Sequence, residues 1–115
     1  MKHILFILFI IIGIIIIGIS IPLILEKIKP NMIYGFRTPK TLNNEAVWYK
    51  ANKYSGTALL IAGIIMLLSA GIFYGVAIKL NNTTSTMILF IVNFMIFSIS
   101  ISVSVIFSVL YLAKL

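Results

Sequence analysis

Three runs without a single charged side chain decide what this chain can fold into. They cover residues 4–25, 56–78 and 87–113 and are 22, 23 and 27 residues long. At about 1.5 Å of rise per residue, a helix of each length reaches about 33 Å or more, enough to cross a hydrocarbon core of about 30 Å. Composition agrees. The chain is 62% hydrophobic and 10% charged, against about 45–50% and about 25% in soluble domains. A soluble globular enzyme is excluded, because too few polar side chains are present to cover a water-facing surface. With no cysteine in the 115 residues, no disulfide, zinc-thiolate site, iron–sulfur cluster or cysteine nucleophile can form. The expected fold is an all-α integral membrane protein, one domain over residues 1–115. It has transmembrane helices at 4–25, 56–78 and 87–113, with a structured basic loop and short amphipathic helix at 26–55. The first run follows Lys2 closely. It is longer than the roughly 7–15 apolar residues of a signal peptide and lacks a small-x-small cleavage site, so it is expected to be retained as a helix.

The nine Lys and Arg residues outnumber two acidic ones and give a net charge of +7. Three spans place Lys2 and Lys79 on one face and Lys27, Lys29, Arg37, Lys40, Lys50, Lys53 and Lys114 on the other. The positive-inside rule then expects the 26–55 loop and the C-terminus in the cytoplasm and the N-terminus outside. Topology accounts for this basic excess first, so nucleic acid is not an expected partner.

Within the spans, Gly56, Gly63 and Ala70 recur seven apart, and Gly71 and Gly75 form a small-xxx-small pair. Such faces serve packing between helices of one chain or a homo-oligomer seam through the second span. Pro22 is expected to loosen the last turn of the first span. In the third, Asn93, Phe97, Ser100, Ser104, Ser108 and Tyr111 share one face. This stripe reads as a polar helix seam, or as a wetted cavity lined by Asn93, Ser100 and Ser104. No span carries an ionisable residue near its middle, so a proton relay or ion-coupled pump lacks its usual parts.

The chemistry that remains sits in residues 26–56, EKIKPNMIYGFRTPKTLNNEAVWYKANKYSG. Gly35 and Pro39 bracket Phe36, Arg37 and Thr38 in an expected non-helical turn, because proline disfavours the α region for the residue before it. A helix is expected from Asn43 or Asn44 as N-cap, with Glu45 at the positive end of the dipole, running into the second span with a bend near Gly56. Trp48, Tyr49 and Tyr54 suit headgroup depth, and Lys50 and Lys53 suit anionic lipid. Asn31, Arg37, Thr38 and Asn52 are short-range hydrogen-bonding groups. The planar donor fork of Arg37 fits a phosphate or carboxylate, or alternatively locks the loop to backbone carbonyls. Acid–base chemistry would have to rest on Glu26, Glu45 or His3, with no nucleophile paired to a base. The lone His3 has no second histidine with which to hold a metal. No enzyme activity, catalytic residue, metal or cofactor is expected.

The run Asn31, Tyr34-Gly35-Phe36-Arg37-Thr38-Pro39, Thr41-Leu42, then Trp48, Asn52 and Gly56 entering a hydrophobic helix, resembles the signature of the SdpI family of bacterial membrane proteins. Lys40 stands where many relatives have a bulky aromatic, and Asn52 where histidine is frequent. The longer relatives have further helices before this domain. The resemblance implies an integral protein of the bacterial cytoplasmic membrane, immunity to a membrane-active peptide toxin as the founding activity, and a small repressor held at the membrane as a second partner. It places ligand or partner binding on Asn31, Tyr34, Gly35, Phe36, Arg37, Thr38, Pro39, Trp48 and Asn52. Two function classes follow. One is a non-enzymatic immunity or resistance factor. The other is a binding or transport protein that recognises an anionic lipid headgroup or small molecule through the YGFRTP loop, with Trp48 fixing its depth.

Overall fold

The computed structural model describes residues 2–115, apart from the side chain of Lys2. It contains four helices: α1 (Lys2–Ile24), α2 (Pro39–Leu42), α3 (Glu45–Leu80) and α4 (Thr83–Ala113). Three of them are long and apolar enough to cross a membrane. At 36 residues α3 is the longest, against 31 for α4. Its rise of about 54 Å matches the 53 Å long axis of the molecule, so its first turns extend past any single hydrocarbon core. The amphipathic stretch expected before the second span is therefore the beginning of α3.

Local chemistry sets the helix ends. Asn44 caps α3 by accepting from the Val47 amide at 3.2 Å, with Glu45 in the first turn. The loop expected over 79–86 narrows to two asparagines. Asn81 adopts the left-handed conformation (φ 47°) that closes α3, and the Asn82 side chain caps α4. Pro22 does not loosen the end of α1. Its carbonyl accepts from the Lys27 amide at 3.0 Å, and that of Leu23 accepts from Glu26. With Glu26 at φ 58°, this is a Schellman closure. The helix thus stops at Ile24, well before Pro30.

The three long helices lie side by side with α3 in the middle. Ser20 and Leu23 of α1 face Gly56 of α3, whereas His3 hydrogen-bonds Tyr74, so α1 and α3 are antiparallel. A Cβ added at Gly56 would stand 3.0 Å from both Leu23 Cβ and the Ser20 carbonyl, and one at Gly63 would stand 2.8 Å from Ile17. The lack of side chains at these positions lets two backbones approach closely, and α3 runs unbroken through Gly56. The Gly56, Gly63 and Ala70 face is therefore an intrachain seam with α1. Gly71 and Gly75 meet nothing within 4 Å. On the other side, the Ser104 hydroxyl donates to the Ala58 carbonyl across the α3–α4 interface at 3.1 Å, and Tyr54 stacks on Tyr111 at 4.2 Å. Helices α1 and α4 meet through Phe6, Phe9, Phe90 and Phe97 at the end far from the loop.

This packing inverts the soluble pattern. Ser20, Asn52, Ser55, Thr86, Asn93, Ser104 and Ser108 are buried, while Ile4, Leu68 and Ile72 are more than 60% exposed on the outside, as lipid-facing side chains should be. Among the described residues, one side chain has its polar atoms both sealed from solvent and unpaired. Asn93 is 1% exposed and neither atom of its amide is hydrogen-bonded. It lies between Phe90 and Phe97, which pack on the core of Phe9, Met66 and Ala70. An orphaned buried amide costs roughly 1–3 kcal/mol, whereas an apolar group of similar shape avoids that cost. Asn93→Leu is therefore expected to stabilise the protein by about 1–3 kcal/mol, measured as resistance to unfolding in detergent micelles. A loss of stability would show that the amide is satisfied.

Candidate functional site

Residues 25–44 form a compact cap on one end of the bundle, held by side chains that each complete several backbone hydrogen bonds. The Asn31 carboxamide closes a turn on itself. Its Oδ1 accepts from the Ile33 and Tyr34 amides at 2.8 and 2.7 Å, and its Nδ2 donates to the Lys29 and Tyr34 carbonyls. Tyr34 then folds back along α1, and its hydroxyl donates to the Ile19 carbonyl. Burial raises this phenol above its ordinary pKa of 10.0, which keeps it a neutral donor. Gly35 sits at φ 118°, a conformation that only glycine adopts readily. Directly after it, Phe36 is clamped by Asn52. The Phe36 amide donates to Asn52 Oδ1 at 2.6 Å, and Asn52 Nδ2 donates to the Trp48 carbonyl at 2.9 Å and the Phe36 carbonyl at 3.4 Å. Thr38 and Thr41 form a reciprocal capping box at the start of α2, with Pro39 in its first turn. Thr41 is fully buried and donates from its hydroxyl to the Phe36 carbonyl at 3.0 Å.

Trp48 is the post on which this cap rests. It is 0% exposed and donates from Nε1 to the Ile28 carbonyl at 2.8 Å, with its ring beneath Gly35. It is therefore enclosed by the protein and does not face the lipid headgroups. Tyr49 is half-buried, and Tyr54, although exposed, is stacked on Tyr111. Lys40 ties the cap to α4 by donating from Nζ to the Leu112 carbonyl at 2.8 Å, a cation at the negative end of a helix dipole.

Of the residues singled out in the sequence, Asn31, Tyr34, Gly35, Phe36, Thr38, Trp48 and Asn52 are thus brought together, their polar atoms occupied in building the loop. Arg37 differs. It is exposed and makes no hydrogen bond or ion pair, so its five donors face outward from a rigid frame. It does not lock the loop to backbone carbonyls in this structure.

Below the cap, α1 and α4 diverge on either side of α3 and leave a cleft of about 290 Å³. Ile19 and Leu23 form one wall, Val105 and Ser108 the other, Ser55 and Leu59 the floor, and Tyr34 to Phe36 the roof. A second groove of about 350 Å³ lies between α3 and α4, next to Ser100 and Ser104. Asn93 lines neither of them. Ser104 borders both, yet its hydroxyl is bound to the Ala58 and Ser100 carbonyls, so the stripe on α4 is chiefly a seam.

The model of the SdpI/YfhL protein family matches residues 27–104. The chain belongs to this family. The matched part begins where the cap begins and takes in α2, α3 and most of α4, so the region characteristic of the SdpI/YfhL family is the cap together with the helices that carry it. A curated relative, the uncharacterized protein YfhL of Bacillus subtilis (strain 168), is 35% identical over 52 residues, covering 45% of this chain and 46% of the relative. The chain thus spans about half the length of that relative. No solved structure matches. Family membership and three apolar helices together make this a multi-pass membrane protein of the SdpI/YfhL type.

Sequence reasoning did not single out Thr41, Lys40 or Ser55 as site residues. Thr41 has a local signal, the Thr38-x-x-Thr41 spacing of a capping box. Lys40 carries no local signal because its partner lies on another helix, and Ser55 carries none because only the packing of the helices makes it part of the cleft lining.

Proposed function

We propose that the protein is a non-enzymatic immunity or resistance factor in the bacterial cytoplasmic membrane, protecting its cell against a membrane-active peptide toxin. Membership of the SdpI/YfhL family supports this reading, and one observation carries it: Arg37 is presented without a partner from a turn whose neighbouring Asn31, Tyr34, Thr41 and Asn52 side chains are all hydrogen-bonded. A loop that served only to join two helices would not need so rigid a frame around one uncommitted guanidinium. The helices meet the toxin within the bilayer, and the cap offers Arg37 to a partner at the surface. A small repressor held at the membrane is the second partner in this reading. The distribution of Lys and Arg favours a cytoplasmic cap and C-terminus.

Expression in a sensitive bacterium challenged with a panel of secreted membrane-active peptides is expected to raise survival against at least one of them. Arg37→Ala is expected to lower that protection roughly ten-fold, the loss of one charge-assisted contact, with membrane levels unchanged. A cytoplasm-active reporter fused after Leu115 should be active in the same strain. Wild-type failure against the whole panel, or full protection by Arg37→Ala, refutes the corresponding part of the proposal.

A further inference from the structure

The cleft under the cap has features that toxin immunity does not use. It opens sideways between α1 and α4, and its walls are Ile19, Leu23, Leu59 and Val105. At about 290 Å³ it lies at the lower limit of small-ligand pockets, about 300–1,000 Å³. That volume cannot hold a helix about 10–12 Å across, but it can take a length of one hydrocarbon chain. Among the serines that line it, Ser104 and Ser108 spend their hydroxyls on helix carbonyls. Ser55 is more than nine-tenths buried and makes no hydrogen bond. Its position in the chain sets its depth: the charge-free run begins at Gly56, and the last cation before it is Lys53. Ser55 thus stands at the boundary between the basic segment and the charge-free run, the place in the sequence that corresponds to the edge of the hydrocarbon. The roof ends at Phe36, and the next residue is the unpartnered Arg37. The same end of the bundle carries Lys27, Lys29, Lys40, Lys50, Lys53 and Lys114 against two carboxylates, Glu26 and Glu45. An apolar slot, an unsatisfied hydroxyl in its lining and an uncommitted guanidinium on the residue next to its roof offer partners for the chain, ester and phosphate of a phospholipid in turn.

We propose that this cleft is a binding site for an anionic phospholipid, with one acyl chain between α1 and α4, the glycerol ester against Ser55 and the phosphate on Arg37. The site claims the same guanidinium that the immunity reading offers to a partner, but it requires neither a toxin nor a repressor, so lipid binding measured in their absence succeeds or fails separately from protection.

The test uses the delipidated full chain in detergent micelles. Brominated phosphatidylglycerol and brominated phosphatidylcholine with identical chains are titrated in, and quenching of Trp48, the only tryptophan, is read together with bound mass by native mass spectrometry. Trp48 is shielded from bulk lipid but lies under Gly35, which lines the cleft, so a lipid in the cleft quenches it more than bulk lipid does. One phosphatidylglycerol per chain is expected, held about ten-fold more tightly than phosphatidylcholine. Arg37→Gln should abolish that preference, and Val105→Phe, which fills the slot from its lipid-facing side, should weaken both lipids. Both positions are exposed, and unchanged unfolding midpoints confirm folding. Four results would overturn the proposal: equal binding of the two lipids, loss of preference in Lys50→Gln as large as in Arg37→Gln, displacement by inorganic phosphate with no effect of Val105→Phe, or cross-linking of a second copy through Val105→Cys.

Discussion

Trp48→Ala is expected to lower stability by about 3–5 kcal/mol, the usual cost of removing a fully buried large aromatic side chain, and to release the cap from α3. The ring supports Gly35 from below, while its Nε1 holds the Ile28 carbonyl, so one side chain joins the start of the cap to its middle. Its loss leaves a cavity and an unpaired carbonyl together. Two measurements separate the local from the global effect. Unfolding in detergent micelles gives the total. Trypsin cleavage after Arg37 reports whether the cap has loosened, because a rigid loop resists entry into a protease site. Trp48→Phe keeps much of the packing and loses the donor, so its cost should be nearer to about 1 kcal/mol and cleavage should stay slow. An alanine variant as stable and as protease-resistant as the wild type would show that the cap does not rest on Trp48.

The role of Trp48 marks the limit of what the sequence discloses. Charge-free length and small-residue spacing are local properties, and they gave the three spans, the Gly56–Gly63–Ala70 seam and the asparagine cap of α3. The signature motif likewise located the cap. Burial of Trp48 could not be read in the same way: an aromatic beside lysines at a span end fits an interfacial anchor equally well, and only the return of the loop over α3 decides between the two. Asn52 is similar. Its amide reads as a ligand donor in one dimension, yet in three it meets the Phe36 backbone 16 residues away and is used up there. Arg37 stands out for the opposite reason, because no backbone group comes to meet it. The polar stripe on α4 was visible as a stripe, but the division of Ser104 to a carbonyl of α3 and Asn93 to no partner depends on the helix crossing.

Gly35→Ala is expected to cost about 2–4 kcal/mol, the sum of backbone strain and one disrupted buried hydrogen bond. At φ 118° an L side chain is strained wherever it points. Here it also has no room: the new Cβ would stand 2.8 Å from Asn52 Oδ1 and 3.0 Å from Trp48 Cη2. Neither neighbour can retreat cheaply. Asn52 is 2% exposed and bound to the Phe36 amide, and Trp48 is enclosed and pinned by Ile28. The two contributions can be separated by a double-mutant cycle with Asn52→Ala, which shortens the opposing side chain. In that background the methyl group loses its closest collision and only the strain remains, so Gly35→Ala should cost at least about 1 kcal/mol less than in the wild type. Strictly additive losses would mean that the conformation alone, and not the fit against Asn52, reserves this position for glycine. Non-additivity would establish that the YGF turn and the Asn52 clamp are a single unit, which is the condition for Arg37 to be held in one place.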